Sequence, residues 1–201
     1  MSTAYPLLED YLRKLPRGFD SHPQCAIKAS VIREALHLHG KALADDPALP
    51  APIRSLVASP PPVSTLISEV LSNATLLTIC DVHFMGKDRL AWDWMHETTR
   101  RLLRTVLYRI LFSVISPERL MAGASHRWQA FRRGTELTLI DRHPGAARMR
   151  LTYPTHLHTE MTLHLLTAGL QAAIESTGTH SASVIVEAIT PVEGVFLASW
   201  S

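Results

Sequence analysis

"TELTLIDRHPGAARMRLTYPTHLHTEMTLHLLTAGLQAAIE", residues 135–175, carries the change of period from which the fold is read. In "TELTLID" (135–141) and "ARMRLTY" (147–153) apolar and polar residues alternate, and the turn-forming "RHPGA" separates them. Alternation sends successive side chains to opposite faces of a strand, so the two runs predict a hairpin. In the second run Met149, Leu151 and Tyr153 face one way, and Arg148, Arg150 and Thr152 the other. The stretch 153–175 then takes helical spacing. After "STGTHS" come two further strands, "SVIVEAI" (183–189) and "VFLASW" (195–200), joined by "TPVEG". The C-terminal half therefore reads as ββαββ.

Upstream the texture is helical. Residues 4–15 predict a short helix closed by Pro16 and Gly18, and a second helix is expected over 26–43. "DDPALPAPIRSLVASPPPVS" (45–64) carries six prolines, which restrict the backbone and end helices, so it predicts a connector with one helical turn near Ile53–Val57. Ser64 or Thr65 is placed to cap a helix over 65–80. Asp88, after the break at "FMGKDRL", is placed to cap a long helix over 89–115. Pro117 opens a last helix that runs to Arg133, where Gly134 stops it. The expected fold is α+β: N-terminal helices, then a ββαββ unit whose four-stranded antiparallel sheet packs against helices. Residues 1–58 form the N-terminal helical segment with its connector, and 59–201 the α+β core, in one compact unit.

The bulk properties narrow the class of protein. With 46% hydrophobic and 19% charged residues the chain is globular, and 201 residues bury enough surface to fold without a staple. Twenty basic against eighteen acidic residues give a formal charge of +2, too even to predict a nucleic-acid partner. Cys25 and Cys80 form no CxxC pattern and are expected as reduced, buried thiols. "MSTAYPLLEDYLRKL" lacks the layout of a signal peptide, and the most apolar run, "LLRTVLYRILFSVI" (102–115), is interrupted by Arg104 and Arg109 and too short to span a bilayer. These features predict a cytoplasmic protein with no membrane span.

Three of the eleven histidines, His156, His158 and His164, fall within nine residues. On a helical wheel His156, Glu160 and His164 share a side with Thr167, Gln171 and Glu175. That pattern predicts a solvated polar stripe in preference to a metal site. His158 lies near the cap and points elsewhere. His96 falls among Trp92, Leu103, Leu107, Ile110 and Val114 on the apolar side of the 89–115 helix, so it is expected as a hydrogen-bonded core residue. His37 and His39 diverge and are expected at the surface. Arg100, Arg101, Arg104 and Arg109, with Arg127, Arg132 and Arg133 on the next helix, predict a solvated face or a salt-bridged protein interface. No GxSxG, GxxxxGK[ST], GxGxxG or HExxH occurs, and Asp81 and His83 read as loop residues. No catalytic residue, metal or cofactor is expected.

Several segments in order, "FDSHPQCAIKAS" (19–30), "PPPVSTLISEVLSNATLLTICD" (60–81) and above all "SPERLMAGASHRWQAFRRGTELTL" (116–139), resemble a myxobacterial paralogous family of uncharacterised proteins. The order of elements is also similar in plan to the ligand-binding superfamily of haem–nitric oxide sensors, 4-vinyl reductase-type domains and vesicle-tethering (TRAPP) subunits. The YxSxR signature of the haem sensors is missing here, the nearest pair being Tyr108-Arg109, and so is a cysteine-rich metal pattern. The resemblance thus implies architecture and a ligand-binding plan, with neither haem nor zinc carried over.

The functional expectation is a non-enzymatic regulatory or sensory domain that holds a small, largely apolar ligand between the long helix and the sheet. Trp92, Met95, His96 and Leu103 line one wall, and Trp128 and Phe131 close it from the next helix. The alternative is a protein-interaction or dimerisation module with a filled core. It rests on the proline-rich connector, the basic flank and a C-terminal edge strand ending at Trp200.

Overall fold

The computed structural model describes residues 4–105, 108 and 116–201, apart from the side chains of Lys41 and Ala42. Helix α1 (Pro6–Lys14) is followed by strand β1 (Ala26–Lys28), α2 (Ser30–Ala44), α3 (Ala51–Ala58), β2 (Leu66–Ser68), α4 (Glu69–Phe84) and α5 (Asp88–Leu103). Next come α6 (Pro117–Ala122), α7 (Ala124–Phe131), β3 (Arg132–Arg133), β4 (Glu136–His143) and β5 (Ala146–Thr152). Helix α8 (Glu160–Glu175) and strands β6 (Ala182–Ile189) and β7 (Glu193–Trp200) complete the chain. The fold is α+β, as the change of period predicts.

The two hairpins join into one antiparallel sheet of order β4-β5-β7-β6. Met149 and Leu151 of β5 and Phe196 and Ala198 of β7 are fully buried on its inner face. On the other face Arg148 forks onto Glu187 at 2.7 and 3.1 Å, and Arg150 meets Glu193 at 3.5 Å. Because β7 pairs with both β5 and β6, the strand ending at Trp200 is interior, and the edges are β4 and β6. Trp200 is buried, and its indole N–H donates to Glu118 at 2.9 Å. The expected C-terminal edge strand is therefore corrected: the last strand is the one that welds the hairpins together.

Helices cover the inner face in layers. α8 lies on β6 and β7, α7 lies on β4, and α5 packs along α8 rather than directly on the sheet. Thr159 caps α8 in a capping box, its hydroxyl accepting from Thr162 N–H while Thr162 accepts from Thr159 N–H. The expected continuation of α5 to residue 115, with Leu107, Arg109, Ile110 and Val114, lies outside the described residues. The helix expected over 117–133 is two helices that meet at Gly123.

A small second sheet, order β2-β1-β3, is the main element absent from the sequence reading. Ala26–Lys28 forms a strand at the place where the sequence predicts the start of a helix. Leu66–Ser68 does the same ahead of α4, whose cap is Ser68, its hydroxyl accepting from Leu71 N–H at 3.2 Å. Gly134 adopts φ +76°, and a Cβ there would stand 2.7 Å from Cys25 Sγ and from the Gln24 carbonyl. Only glycine lets the chain pass this close to β1 on its way from β3 to β4.

The N-terminal helix is fastened to α4 by its exposed backbone donors. Asp81 belongs to α4, not to a loop. Its carboxylate accepts from Leu7 N–H at 3.1 Å and Leu8 N–H at 3.2 Å, serving the helix end that Tyr5 leaves without a side-chain cap. Tyr11 is fully buried and donates to the Leu157 carbonyl at 2.9 Å, tying α1 to the loop before α8. Replacing Asp81 with alanine leaves those two amides unserved, and the expected loss is about 1–2 kcal/mol of folding stability. Urea titration checks this: the midpoint should fall at an unchanged m-value.

Candidate functional site

A cavity of about 220 Å³ lies where α4, α5, α7 and α8 converge above the inner face of the large sheet. Its walls are mostly apolar: Met95 and Leu103 of α5, Trp128 and Phe131 of α7, Leu165 of α8 and Met149 of β5. The rings are held rather than loose. Trp128 donates its indole N–H to Thr135 at 3.0 Å, and Phe131 stacks on Tyr108 with ring centroids 5.5 Å apart. Tyr108 in turn donates to the Ser30 hydroxyl at 2.9 Å, which fixes the α2 side of the wall.

One corner of the cavity is polar. Arg132 and His158 line it together with Asn73, and behind them stands Glu69, fully buried at the first turn of α4. Arg132 Nη1 pairs with Glu69 Oε1, and its guanidinium lies 4.4 Å from the centre of the Trp128 ring. His158 Nε2 stands 3.4 Å from the same carboxylate oxygen, and Nδ1 stands 3.3 Å from the Thr162 hydroxyl. The second oxygen, Glu69 Oε2, has no hydrogen-bond partner among the described residues. Burial by itself would raise the Glu69 pKa. The Arg132 charge and the His158 imidazole outweigh that, holding the carboxyl below its ordinary range. Burial dominates at His158 and lowers its pKa against the pull of Glu69, so the imidazole is neutral.

The six residues expected at the site divide into two groups. Met95, Leu103, Trp128 and Phe131 line the cavity, whereas Trp92 and His96 do not. Those two lie on the flank of α5 that meets α8. Trp92 donates to Thr167 at 3.0 Å, and His96 contacts Glu175 at 2.9 Å. Their rings stack 5.0 Å apart, 9° from parallel. The cause is the packing of α5 on α8, which turns the Trp92–His96 side toward the second helix.

That packing also corrects the solvated stripe. Thr167 is buried, and Glu175 is shared between His96 and Gln171 in the seam of the two helices. His156 precedes α8 and has φ +61°, so it is not in line with Glu160 and His164. Among the described residues, no three His, Cys, Asp or Glu side chains converge as metal ligands. His39 is half-buried rather than exposed, its ring 4.2 Å from that of His83. Glu97 pairs with Arg100 and Arg101 along a solvent-facing flank of α5, whereas Arg132, expected on a helix face, lies in β3 and turns inward to Glu69. A second groove of about 600 Å³ runs beside β6, bordered by Asp88, Glu160 and Glu187 and by apolar side chains of β6 such as Ile185 and Ile189.

Glu69 goes unremarked in the sequence, and His158 is placed there only near a helix cap. Both proton equilibria bear on stability with the same sign. His158 has a folded pKa below its ordinary 6.5, so its contribution is full above that value and is lost as the pH falls below it. Glu69 has a folded pKa below its ordinary 4.5, adding a second loss as the pH drops past that value. His39 and His83 are lowered by burial and add to the first limb. Calorimetry should show Tm falling between about pH 7 and pH 5, with a shallower fall in His158→Gln. An equal slope in the two proteins would remove His158 from this account.

No family model matches the chain, and no curated protein matches it. Solved structures do. The Fe(II) unliganded H-NOX protein from K. algicida superposes with a TM-score of 0.60 at 12% identity, over 87% of this chain and 97% of that one. An oxygen-binding H-NOX domain related to soluble guanylate cyclases gives 0.56 at 10% identity, over 86% and 92%. A mutant of the T. Tengcongensis H-NOX also gives 0.56 at 10%, over 86% and 94%. The chain has the H-NOX fold in outline over most of its length, which bears out the similarity in plan to the haem–nitric oxide sensors.

Proposed function

We propose that this chain is a non-catalytic regulatory or sensory domain that takes a small, largely apolar molecule into the cavity between α5, α7 and α8. The cavity carries the reading: about 220 Å³ of space walled by Met, Leu, Trp and Phe side chains and touched at one corner by a few polar groups. An apolar void of about 150 Å³ is enough to hold benzene, so this one accepts a ring with a short side chain. Met95, Leu103, Trp128 and Phe131 are the proposed contacts. Trp92 and His96 instead fix α5 on α8. The H-NOX likeness supports a sensory role, and the segment 116–139 supports placing the chain in the myxobacterial paralogous family. A cytoplasmic setting belongs to the same proposal; no described helix is long and apolar enough to cross a membrane.

Haem is named for the structural neighbours, and the residues here do not fit it. The cavity is smaller than the roughly 300–1,000 Å³ typical of sites for drug-sized ligands. His158 is the one histidine among its described lining residues, and its two ring nitrogens face Glu69 and Thr162, inside the wall. Haem iron needs an axial ligand aimed into the chamber, and both ring nitrogens of this buried imidazole are turned toward Glu69 and Thr162. The interaction module with a filled core is disfavoured by the void and by the interior position of β7.

The test is a pair of measurements. Native mass spectrometry should show a small organic mass on the purified protein or, after extraction, an empty chain. With the empty chain, benzene at about ten times its Kd should raise Tm by about 3–6 °C. Ala173→Leu, which adds a larger side chain to the cavity wall, should abolish the shift while retaining the fold. Equal shifts in the two proteins, or no shift in either, contradict the reading.

A further inference from the structure

Charge at the cavity wall refines the ligand class, and this step rests on the reading just given. Lys28 of β1, Arg127 of α7 and Arg132 of β3 all line the cavity, and all three are half-buried. No aspartate or glutamate is among the described lining residues. The nearest carboxylate, Glu69, is behind the wall and already paired with Arg132. Lys28 and Arg127 have no carboxylate partner among the described residues. Lys28 Nζ sits 5.1 Å from the centre of the Phe131 ring, at the end of the cavity that β1 and α7 share. Arg127 Nη1 reaches the carbonyls of Arg119 and Leu120 at 3.3 Å, the free carbonyl end of α6, so part of its donor fork is in use. The apolar chamber thus borders two cations that no carboxylate of the described residues pairs with.

We infer that the ligand is a small amphipathic monoanion, its apolar body among Met95, Leu165 and Trp128 and its carboxylate at Lys28, with Arg127 adding to the local positive potential. Several features of the wall suit this class. A cation beside an apolar wall meets less competing water than one on an open surface, which favours a charge-assisted hydrogen bond there. The Phe131 face that carries Lys28 holds the ammonium by a cation–π contact at the chamber wall. A cationic ligand meets three like charges with one carboxylate already engaged, and a neutral one leaves the Lys28 charge without a counterion. Arg132, held by Glu69 and by the Trp128 face, is a fixed part of the wall and not the primary anchor.

Isothermal titration with three probes of one shape tests this: 3-phenylpropanoate, 3-phenylpropan-1-ol and 3-phenylpropylamine, at about pH 7 and low salt. The propanoate should bind roughly tenfold or more tighter than the alcohol, and the amine weakest. Lys28→Met, which keeps most of the length of the side chain and drops the charge, should remove most of the propanoate's advantage and leave the alcohol unchanged. Raising the salt should narrow the gap between acid and alcohol in the native protein. Equal binding of acid and alcohol overturns the anion assignment and leaves the apolar-ligand reading standing. A propanoate preference that survives Lys28→Met also overturns it, because the anchor is then elsewhere. Failure of all three probes, in a protein that shows no benzene shift either, sinks the ligand reading itself.

Discussion

A carboxylate with no access to water sits at the first turn of α4, and the neighbouring elements are arranged around it. Glu69 is fully buried, so its charge is tolerable only with partners in place. Arg132 comes from β3, His158 from the loop before α8, and the Glu69 amide donates to the Cys25 carbonyl beside β1 at 3.1 Å. The helix start favours the negative charge through its unpaired amides. One side chain thus joins the small sheet, the central helix and the entry to α8. Removing one member of such a cluster leaves an uncompensated charge, a loss of about 3–5 kcal/mol in comparable buried pairs. The strands β1, β2 and β3 are short, and this ionic contact adds a tie between β3 and the start of α4.

The cavity follows from the same arrangement. Arg132 is pulled toward Glu69 and lies on Trp128, which keeps α7 tilted over β4 while α5 is held on α8 by Trp92 and His96. Two helices fixed on opposite sides cannot both collapse onto the space between them. The space left between them is a pocket bordered by held aromatic rings. The cavity has polar groups where the ionic cluster meets it and cations at the β1 end, so it has a direction as well as a volume.

Much of the fold is written in local patterns. The alternation in β5, with Met149 and Leu151 inside and Arg148 and Arg150 outside, reads directly off the sequence because a two-residue period has no competing helical interpretation there. Gly134 marks a real boundary for the same kind of reason: φ +76° is open to few other residues. What does not read off the sequence depends on contacts between distant segments. β1 and β2 are three residues each, too short for any period to show, and exist because they pair with each other and with β3. Of the candidate site, Met95, Leu103, Trp128 and Phe131 follow from apolar faces. Glu69 and His158 look like an ordinary first-turn acid and a loop histidine, far apart along the chain. Trp92 and His96 sit on an apolar face too, yet that face turns toward α8. A helical wheel shows which residues share a side but not which neighbour the side meets.

An accessible, largely apolar chamber between α5, α7 and α8 is the central feature of the molecule. Xenon pressurisation of a crystal examines it directly, because xenon settles in apolar cavities and is readily located by its electron density. The expected result is a strong xenon peak within contact distance of Met95, Trp128 and Leu165. A map with those side chains closed over the space and no xenon among them would contradict it.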